Sequence, residues 1–292
     1  MTPQTCIAPQ TRLVAFFVLV TIPAMAAAGA LERLFAPRAD AWEIWAEHDD
    51  SSTIRIDHDA WQAFLDRYLL TGDDGAGLVA YSRVTGGDRQ GLDRYVEALE
   101  QVAVGRFSRD EQFAYWVNLY NALTVRTVVA HYPVDSIRDI DISPGLFADG
   151  PWGKKLVVVE GEAVSLNDIE HRILRPLWRD PRVHYALNCA SIGCPALQSS
   201  AFTADNRNAL LDAGARAYVN HVRGVRVERG KLRVSSVYVW FRDDFGRDDA
   251  AVVDHLKRYA SPGLASRLEG ITKISGDSYD WALNDAGPNR SR

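Results

Sequence analysis

Between Ser108 and Pro133 the chain reads RDEQFAYWVNLYNALTVRTVVAHY, a segment with helical spacing that is apolar on nearly every side. Ser108 and Glu111 form an S-x-x-E start signal, and Pro133 stops the run. A helix without a polar face belongs inside a protein, so the rest of the chain must wrap it. Asn118 and Asn121 are then buried amides. Each must find hydrogen-bond partners or cost about 1–3 kcal/mol. Helical geometry puts Glu111, Tyr115 and Asn118 on one side, with Asn121 slightly off it.

The elements around this helix predict the fold class. Amphipathic helices are expected over Asp57–Leu70 and Arg89–Val102, and others over Leu166–Leu174, Thr203–His221, Asp248–Tyr259 and near Leu264. Hairpins are expected at Lys155–Ser165, around Glu160-Gly161, and at Val225–Val234, around Arg229-Gly230. Short strands are expected at Val183–Asn188, Ile271–Ile274 and Tyr279–Leu283, and a short helix carries VYVWF after Ser235. Helices outnumber strands without regular alternation. This predicts a helix-rich α+β domain with a small, mostly antiparallel sheet packed on a buried central helix over 109–132.

The 292 residues, 47% hydrophobic and 24% charged, suit a globular protein, and the net charge of -5 lacks the basic stripe of a nucleic-acid binder. Arg12, the apolar run Leu13–Ile22 and the Ala24-Met25-Ala26 exit have the layout of a secretory signal. Ten apolar residues fall short of the ~20 that span a bilayer, so membrane attachment would require the segment to stay uncleaved. The expected organisation is a signal peptide over 1–28, a tether over 29–52 that docks through Trp42 and Trp45, one domain over 53–285, and a disordered tail over 286–292. The expected location is periplasmic or secreted.

Removal of the signal takes Cys6 and leaves Cys189 and Cys194 within DPRVHYALNCASIGCPAL. In an oxidising compartment this pair is expected to form a disulfide closing a short loop. If instead free, Cys189 is a candidate nucleophile, with His184 as base and Asn188, Asn118 or Glu111 orienting the imidazole. On a strand, His184 and Asn188 would face the same way. A redox pair usually has tighter spacing at a helix N-terminus, which CASIGC lacks. The loop DISPGLFADGPWG, with Phe147 and Trp152, reads as an ordered flap. With Tyr115, Asn121 and Asn188 it would shape a site for a small polar or peptidic ligand.

Glu170, His171 and His184 make a poor metal set, since adjacent helical residues diverge by about 100°. No metal or cofactor is expected. Arg242, Asp243 and Asp244 read as a solvated helix end, and His48, His58, His131, His221 and His255 as ordinary surface residues.

SRDEQFAYWVNLYNALT, SLNDIEHRILR, DPRVHYALNCASIGCP, VSSVYVWFRDDFG and YDWALND together resemble the domain of unknown function 547 family, over about Arg106 to Asp285. The resemblance implies a shared fold and a common site. It brings no settled activity and no established catalytic residues. The expected function is a pocket-bearing envelope domain with cysteine/histidine hydrolase or transferase chemistry. The alternative is a non-catalytic binding module for a ligand or protein, with a structural Cys189-Cys194 disulfide.

Overall fold

The computed structural model describes residues 37–145 and 149–287. The expected signal segment and Phe147 lie outside them, as does the tail beyond residue 287. At the centre is α3 (Arg109–His131), preceded by α1 (Asp59–Tyr68) and α2 (Gly86–Glu100). Every α3 residue from Glu111 to Val125 is buried. Ser108 Oγ accepts from the Glu111 backbone N–H, but the reciprocal bond of a capping box is absent. The Glu111 carboxylate turns away and accepts from the N–H groups of Ile56 and Ala204.

The strands form three small sheets. β1 (Leu69–Thr71) pairs antiparallel with β2 (Gly77–Val79), and β3 (Lys155–Val159) with β4 (Glu162–Ser165). β5 (Val225–Glu228) pairs antiparallel with β6 (Lys231–Ser235), which pairs parallel with β7 (Ile274–Ser278). Both expected hairpin turns are present, with positive φ at Glu160-Gly161 and Arg229-Gly230. The expected strands at 271–274 and 279–283 are replaced by the single β7, followed by isolated bridges at Ala282 and Leu283.

After β4 the chain enters a π-helical segment, Asp168–Leu174, that continues into α4 (Arg175–Trp178). Ser165 and Asp168 cap this start reciprocally. The predicted strand Val183–Asn188 is instead a 3-10 helix, Pro181–Tyr185, followed by irregular chain. Pro181 fixes a helical φ at its first position, and the Asp180 side chain accepts from the Arg182 N–H. Alternation over so few residues is overridden by these local start signals.

Beyond it come α5 (Arg207–Val219), α6 (Val237–Trp240), α7 (Arg242–Phe245), α8 (Asp249–Tyr259) and α9 (Pro262–Leu268). One buried cluster surrounds α3. A second, rich in tyrosine, is formed by α5, β5, β6, α6, α7 and α8. Trp45 docks the tether on Trp116, with ring centroids 5.0 Å apart. The Asp40 and Trp42 N–H groups donate to the carbonyls of His171 and Arg172. His58 and His255 are buried, each bonded to a tyrosine hydroxyl, at 2.7 Å (Tyr95) and 2.8 Å (Tyr185). Burial holds both rings neutral, with pKa values lowered to about 4.

Candidate functional site

A cavity of about 470 Å³ opens where the two clusters meet. One wall is aromatic. Trp240 stacks on Trp281 at 5.7 Å, Tyr279 lies 4.6 Å from Trp281, and Trp152 meets Trp281 edge-on at 5.7 Å. Glu170, His171, His184, Cys189 and Cys194 line the cavity. At its rim Arg138 pairs with Asp149 and lies over the Trp281 ring.

The cysteine loop is held from below by α3. Asn121 Oδ1 accepts from the Asn188 N–H and Asn121 Nδ2 donates to the Ala186 carbonyl, both at 2.9 Å. Asn188 Nδ2 donates to the Pro195 carbonyl at 2.7 Å, and Asn188 Oδ1 accepts from the Ala190 N–H at 3.0 Å. Ala190, next to Cys189, has φ of +60°, a left-handed conformation unusual for alanine. Gly193 N donates to the Asp280 carbonyl at 2.8 Å. A Cβ on Gly193 would lie 2.8 Å from the Asp280 nitrogen, so only glycine permits this approach. The contact carries Tyr279 to the cysteine.

Cys189 and Cys194 are free thiols, not the expected disulfide. Cys194 Sγ faces backbone, accepting from the Cys189 N–H at 3.0 Å and lying 3.6 Å from the Leu187 carbonyl. The adjacent Cys194 side chain contributes most to lowering the Cys189 pKa to about 7, against burial. Tyr279 Oη at 3.0 Å and Ser191 Oγ at 3.2 Å help, with Ser191 Oγ 2.8 Å from the tyrosine oxygen. Burial keeps Tyr279 protonated, hence a donor. The thiolate is stabilised without a helix N-terminus.

His184 is committed elsewhere. Its Nε2 lies 2.7 Å from Asp244 Oδ2, and its ring stacks on Phe241 at 4.6 Å. Arg175 Nε donates to the same Asp244 oxygen at 2.6 Å, and Arg175 Nη1 donates to His171 Nδ1 at 2.9 Å. An arginine only donates, so His171 Nδ1 is an acceptor and the ring is neutral. Burial lowers the pKa of both histidines. Burial alone would raise Asp244, but the bonds from His184 and Arg175 outweigh it and keep it ionised. Asp244 is therefore a buried ion-pair partner rather than a solvated helix end.

Between this network and the cavity stands Glu170. Burial raises its pKa to about 7, with the Cys189 charge adding to the shift and Arg175 opposing it. Glu170 Oε2 accepts from the Tyr120 hydroxyl at 3.2 Å, and Oε1 lies 3.7 Å from His184 Nδ1. Adjacent Glu170 and His171 both line the cavity, because a π-helical segment does not keep α-helical angles. Among the described residues no group of three or more His, Cys, Asp or Glu is placed to hold a metal ion.

The structure divides the residues predicted from sequence. His184, Cys189 and Trp152 line the cavity, while Asn121 and Asn188 shape the loop beneath it. Glu111, Tyr115 and Asn118 are not part of the site. Tyr115 donates to the Leu99 carbonyl at 2.9 Å, and Asn118 bonds both backbone groups of Phe202. Sharing a helix side carried no information here, because α3 is enclosed on all sides. Ser191, Tyr279, Tyr120, Arg175 and Asp244 were missed, and Glu170 was weighed only as a metal ligand. The dense aromatic run SYDW and the buried-helix acid of DIEH were the available signals.

The fold and site define a helix-rich α+β domain with an acid-lined thiol pocket. Residues 104–219 match the model of the family described as protein of unknown function, DUF547, and the chain carries a domain of that family. The matched stretch ends short of Asp244 and Tyr279, which complete the site. Searches of curated proteins and of solved structures return no match.

Proposed function

We propose that the protein is a cysteine-dependent hydrolase or transferase acting by acyl transfer, with Cys189 as nucleophile and Glu170 as general acid and base. The supporting observation is the convergence of the Tyr279 and Ser191 hydroxyls on Cys189 Sγ, in a cavity that the buried Glu170 carboxyl also lines, with burial raising the Glu170 pKa toward neutrality. The thiolate attacks an acyl carbon, and protonated Glu170 gives its proton to the leaving amine or alcohol. The resulting carboxylate then takes a proton from the water or acceptor that cleaves the thioester. His184, bonded to Asp244, supports Glu170 instead of activating the thiol. Its neutral Nδ1 stands nearest the carboxyl.

The substrate class is a small polar or peptidic acyl compound with an apolar portion for the aromatic wall. The test is trapping of an acyl-enzyme on Cys189 by mass spectrometry, using activated esters and envelope-type peptides. Acylation lost in Cys189→Ser and retained in His184→Ala supports the assignment, and acylation of any other residue defeats it. The Trp152–Trp281–Trp240 wall favours a second reading as a binding module. Ligand retention without turnover in the parent protein would select it. Export is part of the proposal and rests on Arg12, the Leu13–Ile22 run and the small-residue exit. N-terminal sequencing of the protein recovered from the envelope is its check, and Met1 with the run intact would overturn it.

A further inference from the structure

In acyl transfer Cys194 supports the Cys189 thiolate but forms and breaks no bond, and a second thiol beside the nucleophile invites the acyl group to migrate. Yet the position of Cys194 is built. Its side chain is buried, and its sulfur is fixed by the Cys189 N–H at 3.0 Å. The loop between the cysteines is pinned by Ile192 N to the Ala282 carbonyl and Gly193 N to the Asp280 carbonyl, both at 2.8 Å. The two cysteines line one cavity with only four residues between them, Cys194 Sγ lying 3.0 Å from the Cys189 nitrogen, and another wall of that cavity is aromatic.

We propose that Cys189 and Cys194 reduce an organic hydroperoxide taken into this cavity, Cys189 as the thiol that is oxidised and Cys194 as the thiol that resolves it. This goes beyond acyl transfer and shares only Cys189 and its hydroxyl donors with it. The Cys189 thiolate attacks the terminal peroxide oxygen, so an S–O bond forms and the O–O bond breaks. The departing alkoxide takes one proton, delivered through the Tyr279 and Ser191 hydroxyls, and leaves as an alcohol. Cys194 sulfur then attacks Cys189 sulfur, forming S–S as S–OH breaks, and the hydroxide leaves as water with the Cys194 proton. Two thiols lose two electrons and the peroxide gains two. An external small dithiol returns the pair to the reduced state. The disulfide expected from sequence is thus one state of a working pair.

The experiment uses the full chain, reduced, desalted and mixed with one equivalent of cumene hydroperoxide at neutral pH. The expected result is consumption of one peroxide per chain, about tenfold faster than by free cysteine. Both thiols should become inaccessible to alkylation, the mass should fall by two hydrogens, and dithiothreitol should restore the starting protein. Cys194→Ser should consume peroxide once and hold Cys189 as a sulfenic acid that dimedone traps, and Cys189→Ser should consume none. A wild-type chain in which Cys194 remains alkylatable after peroxide is spent overturns the inference without relying on any variant. Hydrogen peroxide reacting faster than cumene hydroperoxide overturns the organic-substrate assignment. Acylation of the wild-type chain by an activated ester, set beside its peroxide consumption, separates the two readings. Acylation without peroxide reduction in the wild type removes this inference alone, and peroxide reduction without acylation removes the acyl-transfer reading alone.

Discussion

His184 donates from Nε2 to Asp244 Oδ2 at 2.7 Å, and this bond removes the imidazole from the cysteine as a direct base. His184→Ala should therefore act on stability before chemistry. It leaves Asp244 with Arg175 as its remaining strong partner and opens a void against Phe241. A loss of about 2–4 kcal/mol is expected in urea unfolding. The pH dependence of Cys189 alkylation should stay within a few tenths of a unit of wild type. A large rise in the thiol pKa would restore His184 as its base.

Tyr279→Phe is expected to do what His184→Ala does not. The tyrosine hydroxyl stabilises the thiolate from 3.0 Å and positions the Ser191 hydroxyl. Its removal should raise the thiol pKa by about one unit. Alkylation at neutral pH should slow accordingly, with full rates recovered in alkali. Ser191→Ala should shift the profile in the same direction. An unchanged profile in both variants would leave Cys194 and the Ser191 backbone as the thiolate's support.

Glu170 and Cys189 contribute to the pH dependence of stability with opposite signs. Glu170 titrates near 7 in the fold against an ordinary 4.5, so the native state holds a proton that the unfolded chain has lost. Its contribution is most favourable below pH 4.5 and is lost as pH rises to about 7, on the order of 3 kcal/mol. Cys189 has the opposite sign. Its pKa falls from 9 to about 7, so its contribution is full above 9 and is lost as pH falls to 7. His58 and His255, held neutral with pKa values of about 4, raise stability as pH rises over the same acid range, so the Glu170 contribution is read as a difference between wild type and Glu170→Gln. Denaturant midpoints should show the wild type losing stability relative to the variant as pH rises from 4.5 to about 7, and a difference that does not change with pH would contradict the assignment.

The central helix and both hairpins were legible because their signals are local: an all-round apolar run with Ser108 and Pro133 at its ends, and residue pairs suited to positive φ. The site was half legible. Cys189, His184, Asn121 and Asn188 stand out as polar residues in apolar surroundings, but their partners come from distant segments. Tyr279 reaches the cysteine only because Gly193 lies against Asp280, and Asp244 only because α7 packs over the Pro181–Tyr185 turn. No spacing rule carries such contacts. The strand expected at Val183–Asn188 failed for the converse reason: a proline and an aspartate cap outweigh two turns of alternation.

The two buried amides of α3 offer a paired test of what holds the thiol in place. Asn118 and Asn121 are equally enclosed, and each makes two hydrogen bonds to backbone. Alanine at either position orphans one buried N–H and one carbonyl, so each variant should lose about 2–3 kcal/mol. Their functional effects should part. Asn118 grips Phe202, away from the cavity, whereas Asn121 grips Ala186 and Asn188, the residues that set where Cys189 begins. Asn121→Ala should loosen the cysteine loop, raise the thiol pKa and slow acylation, while Asn118→Ala should leave both near wild type once folded. Cys189 alkylation profiles and acyl-enzyme rates, taken under conditions where both variants are fully folded, decide the matter. Equal behaviour of the two would mean that the loop keeps its shape through Asn188 and Pro195 without support from the central helix.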